Sequence, residues 1–532
     1  MNSLLVLYSP PLSKYAFQPI FDGKNAVALA VERGRKFPGV GKIVLLASEL
    51  GDGNSDFSFL SGEEVTIEQR QNWTKKSLLE RISELQTGFD LTYFAFADCP
   101  FLDPVLAGSL ARRHLDYKAD YAYADGWPFG VAPEILAPGT AGICAKILDK
   151  DAPVENNVLF SVIEKDINSF DIEVEISKID LSSHRLNLRA DSKRNFMLLN
   201  NFFAANDKKI PCAADIETII EEKPEILRTL PNYFSVQVYG GCPALCKICP
   251  YPLFTDAKNR NDFMNVEKFK LLLDNIIDFT GDAVINLSLW GELSFHPEKL
   301  QLIKSVIEKN ELTLIVETSG LGWKNEELEE IASFCKETLI KTKTRINSLP
   351  PVSWIVSLDT ADAQKYSELR GAGFADAESC AKKLLALFPN DCYVQSVRVK
   401  GSEDDTERFY RFWKEAAPNG EKNIIIQKYD DFCGQMEKKQ ASDISPIIRQ
   451  CCWHIMRDMP ILIDGSVLLC REYLASLKGE KDLVLGNVFN DSLETIWQNG
   501  NRFYIEQCKK NYDETLFHGL CVDCDEYYTY NF

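Results

Sequence analysis

Long apolar runs are missing from this 532-residue chain. No stretch approaches the ~20 apolar residues that a membrane-spanning helix needs, so no membrane association is expected. Basic residues are outnumbered: 59 Lys and Arg face 78 Asp and Glu, for a net charge of −19. A surface that acidic repels nucleic-acid phosphates and anionic lipid, so no nucleic-acid partner is expected. The opening MNSLLVLYSPPLSKYAF has no basic segment before its apolar run, and the run stops at Ser9-Pro10-Pro11. It reads as a buried first strand rather than a signal peptide, which predicts a cytoplasmic protein. Internal repeats and low-complexity segments are absent as well. The length exceeds what one core can hold, so two to four domains are expected.

Cysteine is not scarce. The chain has 16, and a reducing compartment excludes a disulfide framework as the reason. Cys99, Cys144, Cys212, Cys335, Cys380, Cys392 and Cys433 have no close partner in sequence and read as small buried hydrophobes. The others fall in two regions. The first is YGGCPALCKICPYP, where Cys242, Cys246 and Cys249 follow C-x3-C-x2-C. At this cysteine frequency, chance produces that spacing roughly 0.014 times per chain of this length. A structural zinc site wants four ligands and usually two C-x2-C knuckles. Three thiols with no fourth close by suit an iron–sulfur cluster with one iron left open. The flanking prolines and glycines allow tight turns that aim backbone amides at sulfur.

Apolar, β-rich runs recur downstream at 234–240, 283–290, 312–319, 354–359, 393–399 and 423–429, with helical patterns such as VEKFKLLLDNIIDF between them. Six βα units of about 30–45 residues predict parallel strands in a barrel-like sheet. Sites in such barrels lie at the C-terminal strand ends, and the cysteine loop follows the first strand directly.

The cysteine motif resembles the signature of the radical S-adenosylmethionine (SAM) enzymes. In that family three cysteines hold a 4Fe–4S cluster, and the amino and carboxylate groups of SAM chelate the fourth iron. The resemblance implies these roles for Cys242, Cys246 and Cys249; Ile248 replaces the usual aromatic residue. LWGELSFHPE is similar to the family's Gly-Gly-Glu segment, with Trp290 for the first glycine, and implies that Gly291 and Glu292 receive the SAM ammonium. ETSG, at 317–320, is similar to the family's ETNG and implies a cofactor contact for Thr318. SLD at 357–359 with YSELRGAG resembles S-x-D-G…Y-x-x-i-R-G, which implies that Ser357 and Arg370 contact SAM ribose or carboxylate. Each of these alone also reads as structural; their order and spacing behind the cysteines carry the resemblance. No catalytic side chain is identified.

The second cysteine region runs Cys452-x12-Gly465-x4-Cys470, then Cys521-x2-Cys524. LIDGSVLLC reads as a hairpin whose Asp464-Gly465 turn returns Cys470 toward Cys452. The pattern, with LGNVFNDSLETIWQ, is similar to the SPASM or twitch auxiliary-cluster domains. That resemblance implies a second 4Fe–4S cluster on these four cysteines, with Cys451 and Cys508 unassigned. A four-thiolate zinc site stays open, because sulfur donors serve either metal.

The first ~205 residues alternate β and α and hold no cysteine motif. ADCPFLDP, FDGKNAVALAVERGRK and RLNLRADSKRNF resemble segments of the sugar-nucleotide cytidylyltransferases, of glycosyltransferase-A-like fold. The resemblance implies Mg2+ on Asp98 and Asp191, a normal arrangement for paired carboxylates with nucleotide phosphates. Yet LYSPPLSKYAFQP, where that family's Gly- and Arg-rich phosphate loop belongs, has neither residue. Without those donors, a scaffold or a nucleotide- or sugar-binding role is expected rather than nucleotidyl transfer.

The expected fold class is therefore α/β: a nucleotidyltransferase-like domain (1–205), a polar linker (206–232), a partial (β/α)6 radical SAM barrel (233–430) and a small C-terminal Fe–S domain (431–532). This arrangement looks like the spirochaete-type spiro-SPASM proteins. The resemblance implies an enzyme that cleaves SAM reductively and abstracts hydrogen, fed by a low-potential electron donor. Its expected substrate is a peptide or small protein, entering beside the tail aromatics Tyr527, Tyr528, Tyr530 and Phe532. The alternatives are an Fe–S and SAM-binding regulatory or assembly protein without turnover, and sugar-nucleotide chemistry guided by the first domain.

Overall fold

The computed structural model describes all residues except 21–22, 50–55, 61–63, 149–150, 343–348, 443, 447–448, 450, 509–518 and 530–532. It divides into two compact units, Met1–Thr229 and Leu230–Phe532. Among the described residues no helix is long and apolar enough to cross a membrane.

The first unit is built on a seven-stranded sheet. Its strands are β1 (Ser3–Ser9), β2 (Val40–Ser48), β3 (Val65–Arg70), β4 (Leu91–Phe96), β5 (Tyr121–Asp125), β6 (Glu134–Leu136) and β7 (Ile172–Ile176). Their order is β3-β2-β1-β4-β6-β5-β7. Every residue of β1 and β4 is buried, as expected of strands covered by helices on both faces. β1 pairs in parallel with both β2 and β4, so the strand order reverses there and opens the crevice where such sheets bind ligands. β6 runs antiparallel to β4 and β5.

Residues 206–229 of the segment expected to be a linker (206–232) belong to this unit. The helix Ala213–Glu222 is fastened by Asp103, whose Oδ2 accepts from the Ala213 amide at 2.6 Å. Trp127 Nε1 and Ser177 Oγ both donate to Glu217 at 3.0 Å. Its buried Ile216, Ile219 and Ile220 supply the apolar face.

The second unit has nine strands: β8 (Tyr233–Val236), β9 (Ala283–Asn286), β10 (Leu312–Thr318), β11 (Val352–Ser357), β12 (Cys392–Arg398), β13 (Ile424–Lys428), β14 (Asp458–Ile461), β15 (Ser466–Leu468) and β16 (Val484–Asn487). Neighbours from β8 to β13 pair in parallel and in chain order. The intervening helices cover the outer face. The helix Val266–Thr280 shows why: Phe269, Leu272, Leu273 and Ile276 recur at helical spacing and are buried, Asn265 caps its start, and Gly281 at φ 81° ends it. The C-terminal strands form no separate layer. β14 pairs in parallel with β8, and β15 and β16 extend the same sheet by antiparallel pairing. The expected hairpin is present, with Gly465 at φ 87° in its turn. Joining the sheet covers the β8 edge that an open barrel leaves unpaired.

Along each barrel strand the inner face alternates with the outer one. Tyr233, Val284, Ile315, Ile355 and Ile425 form an inner apolar floor. Two residues further along, Ser235, Asn286, Glu317, Ser357 and Gln427 line a cavity at the C-terminal ends. The barrel therefore closes at one end and presents a polar ring at the other.

Candidate functional site

That ring lines a cavity of about 260 Å3 whose wall includes Cys242, Cys246 and Cys249. The cysteine loop leaves β8 and is tied down on several sides. The Cys242 amide donates to Ala257 O at 2.9 Å. The Leu245 and Lys247 amides donate to Arg370 O and Leu369 O, at 3.1 and 2.9 Å, using carbonyls that the end of the helix Ala363–Arg370 leaves free. Tyr251 stacks on Trp290 at 5.7 Å with 7° between the rings. Its hydroxyl donates to Gly240 O at 2.7 Å and accepts from Gln237 at 3.0 Å. Trp290, in place of the expected glycine, thus clamps the loop from below. Burial pushes the Cys242 and Cys249 thiols up to about 12 and raises Cys246, whose rise Arg370 partly offsets. Such thiols give up their protons only to a metal centre that repays the desolvation.

The strand-end residues named from sequence all reach this cavity. Gly291 sits at φ 83°, and a Cβ there would lie 2.0 Å from Tyr239 O. Only glycine allows this approach, which the Glu292 amide secures by donating to Gly241 O at 2.8 Å. The Glu292 carboxylate is largely committed: it accepts from Thr318 Oγ1, the Ser319 amide and Ser319 Oγ, each at 2.7 Å. It joins the ends of β9 and β10, and Thr318 is spent on the same bond. Arg370 is buried and donates from Nε to Asp359 at 2.6 Å. Asp359 is held at φ 64° by a second bond, from the Val397 amide at 2.9 Å. Ser357 Oγ accepts from Gln395 at 3.3 Å.

Asn286, Glu317, Gln395, Lys428 and Arg471 also line the cavity and were not singled out from sequence. Burial raises the Glu317 carboxyl, while Arg471 and a bond from Asn286 hold it down. The available signal was a polar residue at an inward position of an apolar strand, as in AVIN and YVQS. Reading it required knowing which face is inward.

The C-terminal thiols gather at a second place. Burial raises the thiols of Cys452, Cys470 and Cys521, and the nearby Cys524 raises each of them further. The Cys452 amide donates to Gln507 Oε1 at 3.1 Å, Gln507 Nε2 donates to Cys521 Sγ at 3.5 Å, and the Glu526 amide donates to Cys524 Sγ at 3.4 Å. Cys433, expected to be a small buried hydrophobe, is buried but belongs here: its thiol lies close enough to Cys524 that the pair raises Cys433 and lowers Cys524. Phe432 and Cys433 both take positive φ, 53° and 58°, a costly pair for residues other than glycine. Cys451 and Cys508, the sequence neighbours of Cys452 and Gln507, pair with each other as a disulfide. Among the described residues, no three His, Cys, Asp or Glu side chains converge on a single-ion site.

Residues 451–525 match the family model of the SPASM iron–sulfur cluster-binding domain. An uncharacterized protein of Treponema pallidum (strain Nichols) is 31% identical over 381 residues, covering 70% of this chain and 98% of its own. The chain belongs to the radical SAM enzymes that carry a SPASM domain. The antilisterial bacteriocin subtilosin biosynthesis protein AlbA of Bacillus subtilis (strain 168) is 21% identical over 333 residues, 56% of this chain and 67% of AlbA. A cytidylyltransferase from Leptospira borgpetersenii overlays 44% of this chain and 99% of its own, at 15% identity and a TM-score of 0.38.

As a radical SAM enzyme with a SPASM domain, the protein uses 4Fe–4S clusters and SAM. The donor sets fit: three half-buried cysteines on an open cavity, and a separate group of thiols with N–H donors at sulfur.

The expected Mg2+ does not fit this radical SAM enzyme. Asp98 is 1% exposed, and both its oxygens face Arg189: Nε to Oδ1 at 2.8 Å and Nη2 to Oδ2 at 3.0 Å. Arg189 also stacks over Phe96 at 4.4 Å and donates to Asn156 at 2.6 Å. Asp191 lies near enough to raise Asp98, but it accepts from Asn187 and Asn195 at 3.2 and 2.8 Å. A guanidinium occupies the place expected for the cation. Arg189 sits in RLNLRADS, two residues before Asp191.

Proposed function

We propose that Cys242, Cys246 and Cys249 hold the SAM-binding cluster and that the enzyme abstracts a hydrogen atom from a side chain of a peptide or small protein. When bound, the cluster and SAM supply a hydrogen-abstracting radical by reductive cleavage of SAM. The chain's own part is to bind, orient and exclude water. The rigid Gly291–Glu292 turn presents backbone to the SAM ammonium, and Glu292 holds that turn in place rather than meeting the ammonium itself. Arg370 and Ser357 serve the carboxylate and ribose. Glu317, Asn286, Gln395 and Arg471 face the substrate from the ring above the apolar floor. Cys452, Cys470, Cys521 and Cys524 hold the auxiliary cluster.

The carrying observation is that the three thiols and this polar ring share one cavity at the C-terminal end of the barrel. The peptide class is supported by the relative AlbA, whose name places it in bacteriocin biosynthesis. The test is twofold. Anaerobic, reconstituted protein with dithionite is expected to release 5′-deoxyadenosine, and the Cys242→Ala, Cys246→Ala, Cys249→Ala variant is not; release by the variant sinks the assignment. Mass spectrometry of small proteins from cells with and without this chain is expected to show a mass change in a peptide. Changes confined to nucleotide-linked sugars would overturn the peptide class.

A further inference from the structure

The first unit holds a second cavity, of about 300 Å3, that the radical chemistry does not use. It rests on three neighbouring strands. In the pairing of β4 with β6, Phe94 lies opposite Glu134, and in that of β6 with β5, Leu136 lies opposite Tyr121. Directly opposed residues share a sheet face, as do residues two apart. Phe94, Phe96, Glu134, Tyr121 and Tyr123 therefore stand on one face, with a carboxyl group between two aromatic walls. Phe160 leans on Tyr123 at 5.9 Å and Phe129 on Phe96 at 5.7 Å, which closes the walls. Tyr123, Trp127, Phe129 and Phe160 are only half-buried, and all line the cavity.

The chemistry of this box is narrow. Glu134 is the one charged side chain among the described residues lining it. The Tyr121 hydroxyl donates to Glu134, Asn156 Oδ1 accepts from Arg189, and Trp127 Nε1 donates to Glu217, which leaves Asn157, Asn156 Nδ2 and the Tyr123 hydroxyl as the neutral side-chain polar groups on the lining. A carbohydrate needs several directional partners, and a nucleotide needs the cation that Arg189 replaces. Aromatic faces with one carboxyl among them suit instead an organic cation, which ring quadrupoles and the carboxylate attract together. Burial pushes the Glu134 carboxyl up to about 7, against the Tyr121 bond that holds it down, and an arriving cation favours its charged form.

We infer that the cavity between β4, β6 and β5 binds an alkylammonium group, carried either by a free amine or by a lysine side chain of a peptide. The whole chain is titrated by calorimetry with choline and with its neutral isostere 3,3-dimethylbutan-1-ol. Choline is expected to bind at least about ten-fold more tightly. Glu134→Gln keeps an acceptor for Tyr121 and is expected to remove that preference; Tyr123→Leu is expected to weaken choline about ten-fold. N-acetyl-lysinamide is titrated alongside: tighter binding than choline points to a peptide lysine, weaker binding to a free quaternary amine, and either order supports the inference. Equal binding of alcohol and choline, a preference that survives Glu134→Gln, or no binding of any probe overturns it. None of these outcomes depends on the assignment of the thiol cavity.

Discussion

Arg189 and Cys433 each change what the residues around them can bind. Arg189 turns a motif that elsewhere implies a metal into a buried ion pair. Removing one partner of such a pair leaves an uncompensated charge, which costs about 3–5 kcal/mol. Asp98→Ala is therefore expected to speed hydrogen exchange in β1 and β4 of the whole chain by that margin, with or without millimolar Mg2+. Asp191→Ala is expected to have little effect. Protection that depends on Mg2+ would restore the metal site. Cys433 is held in a costly backbone conformation with its thiol on Cys524. Cys433→Ala is expected to lower the iron retained at the C-terminal thiols and to alter their EPR signal, whereas Cys335→Ala, a core thiol, is not. Full iron with an unchanged spectrum would return Cys433 to the core residues.

At the scale of elements, the turn after β9 leaves less room for a Cβ than any other glycine turn among the described residues. Gly291 and Gly401 share nearly the same φ, 83° and 82°, yet a Cβ at Gly401 would meet nothing within 4 Å. Gly401→Ala is expected to cost only the left-handed penalty of about 1–2 kcal/mol. Gly291→Ala must also push Tyr239 O away, and with it the strand that feeds the cysteine loop. It is expected to lose the iron bound at Cys242, Cys246 and Cys249, while Gly401→Ala keeps it; equal iron in both would refute the tight packing. The tail is another such element. Tyr527 is buried, the Trp453 amide donates to its carbonyl at 2.8 Å, and Lys428 binds Glu526 at 2.7 Å. Tyr530 and Phe532 lie outside the described residues. Deleting the residues after Asp525 is expected to lower the melting temperature as well as substrate turnover, because it removes packing and not merely a contact surface.

Across the whole molecule, the two thiol groups stand on one continuous sheet, since β14 pairs with β8. The groups are nevertheless independent donor sets. The Cys242→Ala, Cys246→Ala, Cys249→Ala variant is expected to lose about four irons per chain and keep a brown absorbance from the other cluster. Loss of all iron would mean that one group cannot assemble without the other.

Sequence alone determined the thiol spacing, the six βα units and the strand ends that meet at the cavity. These are local patterns: ligand spacing, apolar periodicity and turn residues act over a few positions and survive translation into structure almost unchanged. Only the tertiary structure decided the rest. It alone showed which strand face turns inward, hence the roles of Asn286, Glu317 and Gln395. It alone brought Arg189 to Asp98 across 91 positions and Cys433 to Cys524. Such contacts depend on how distant segments pack around a shared core, and no spacing rule in either segment encodes them.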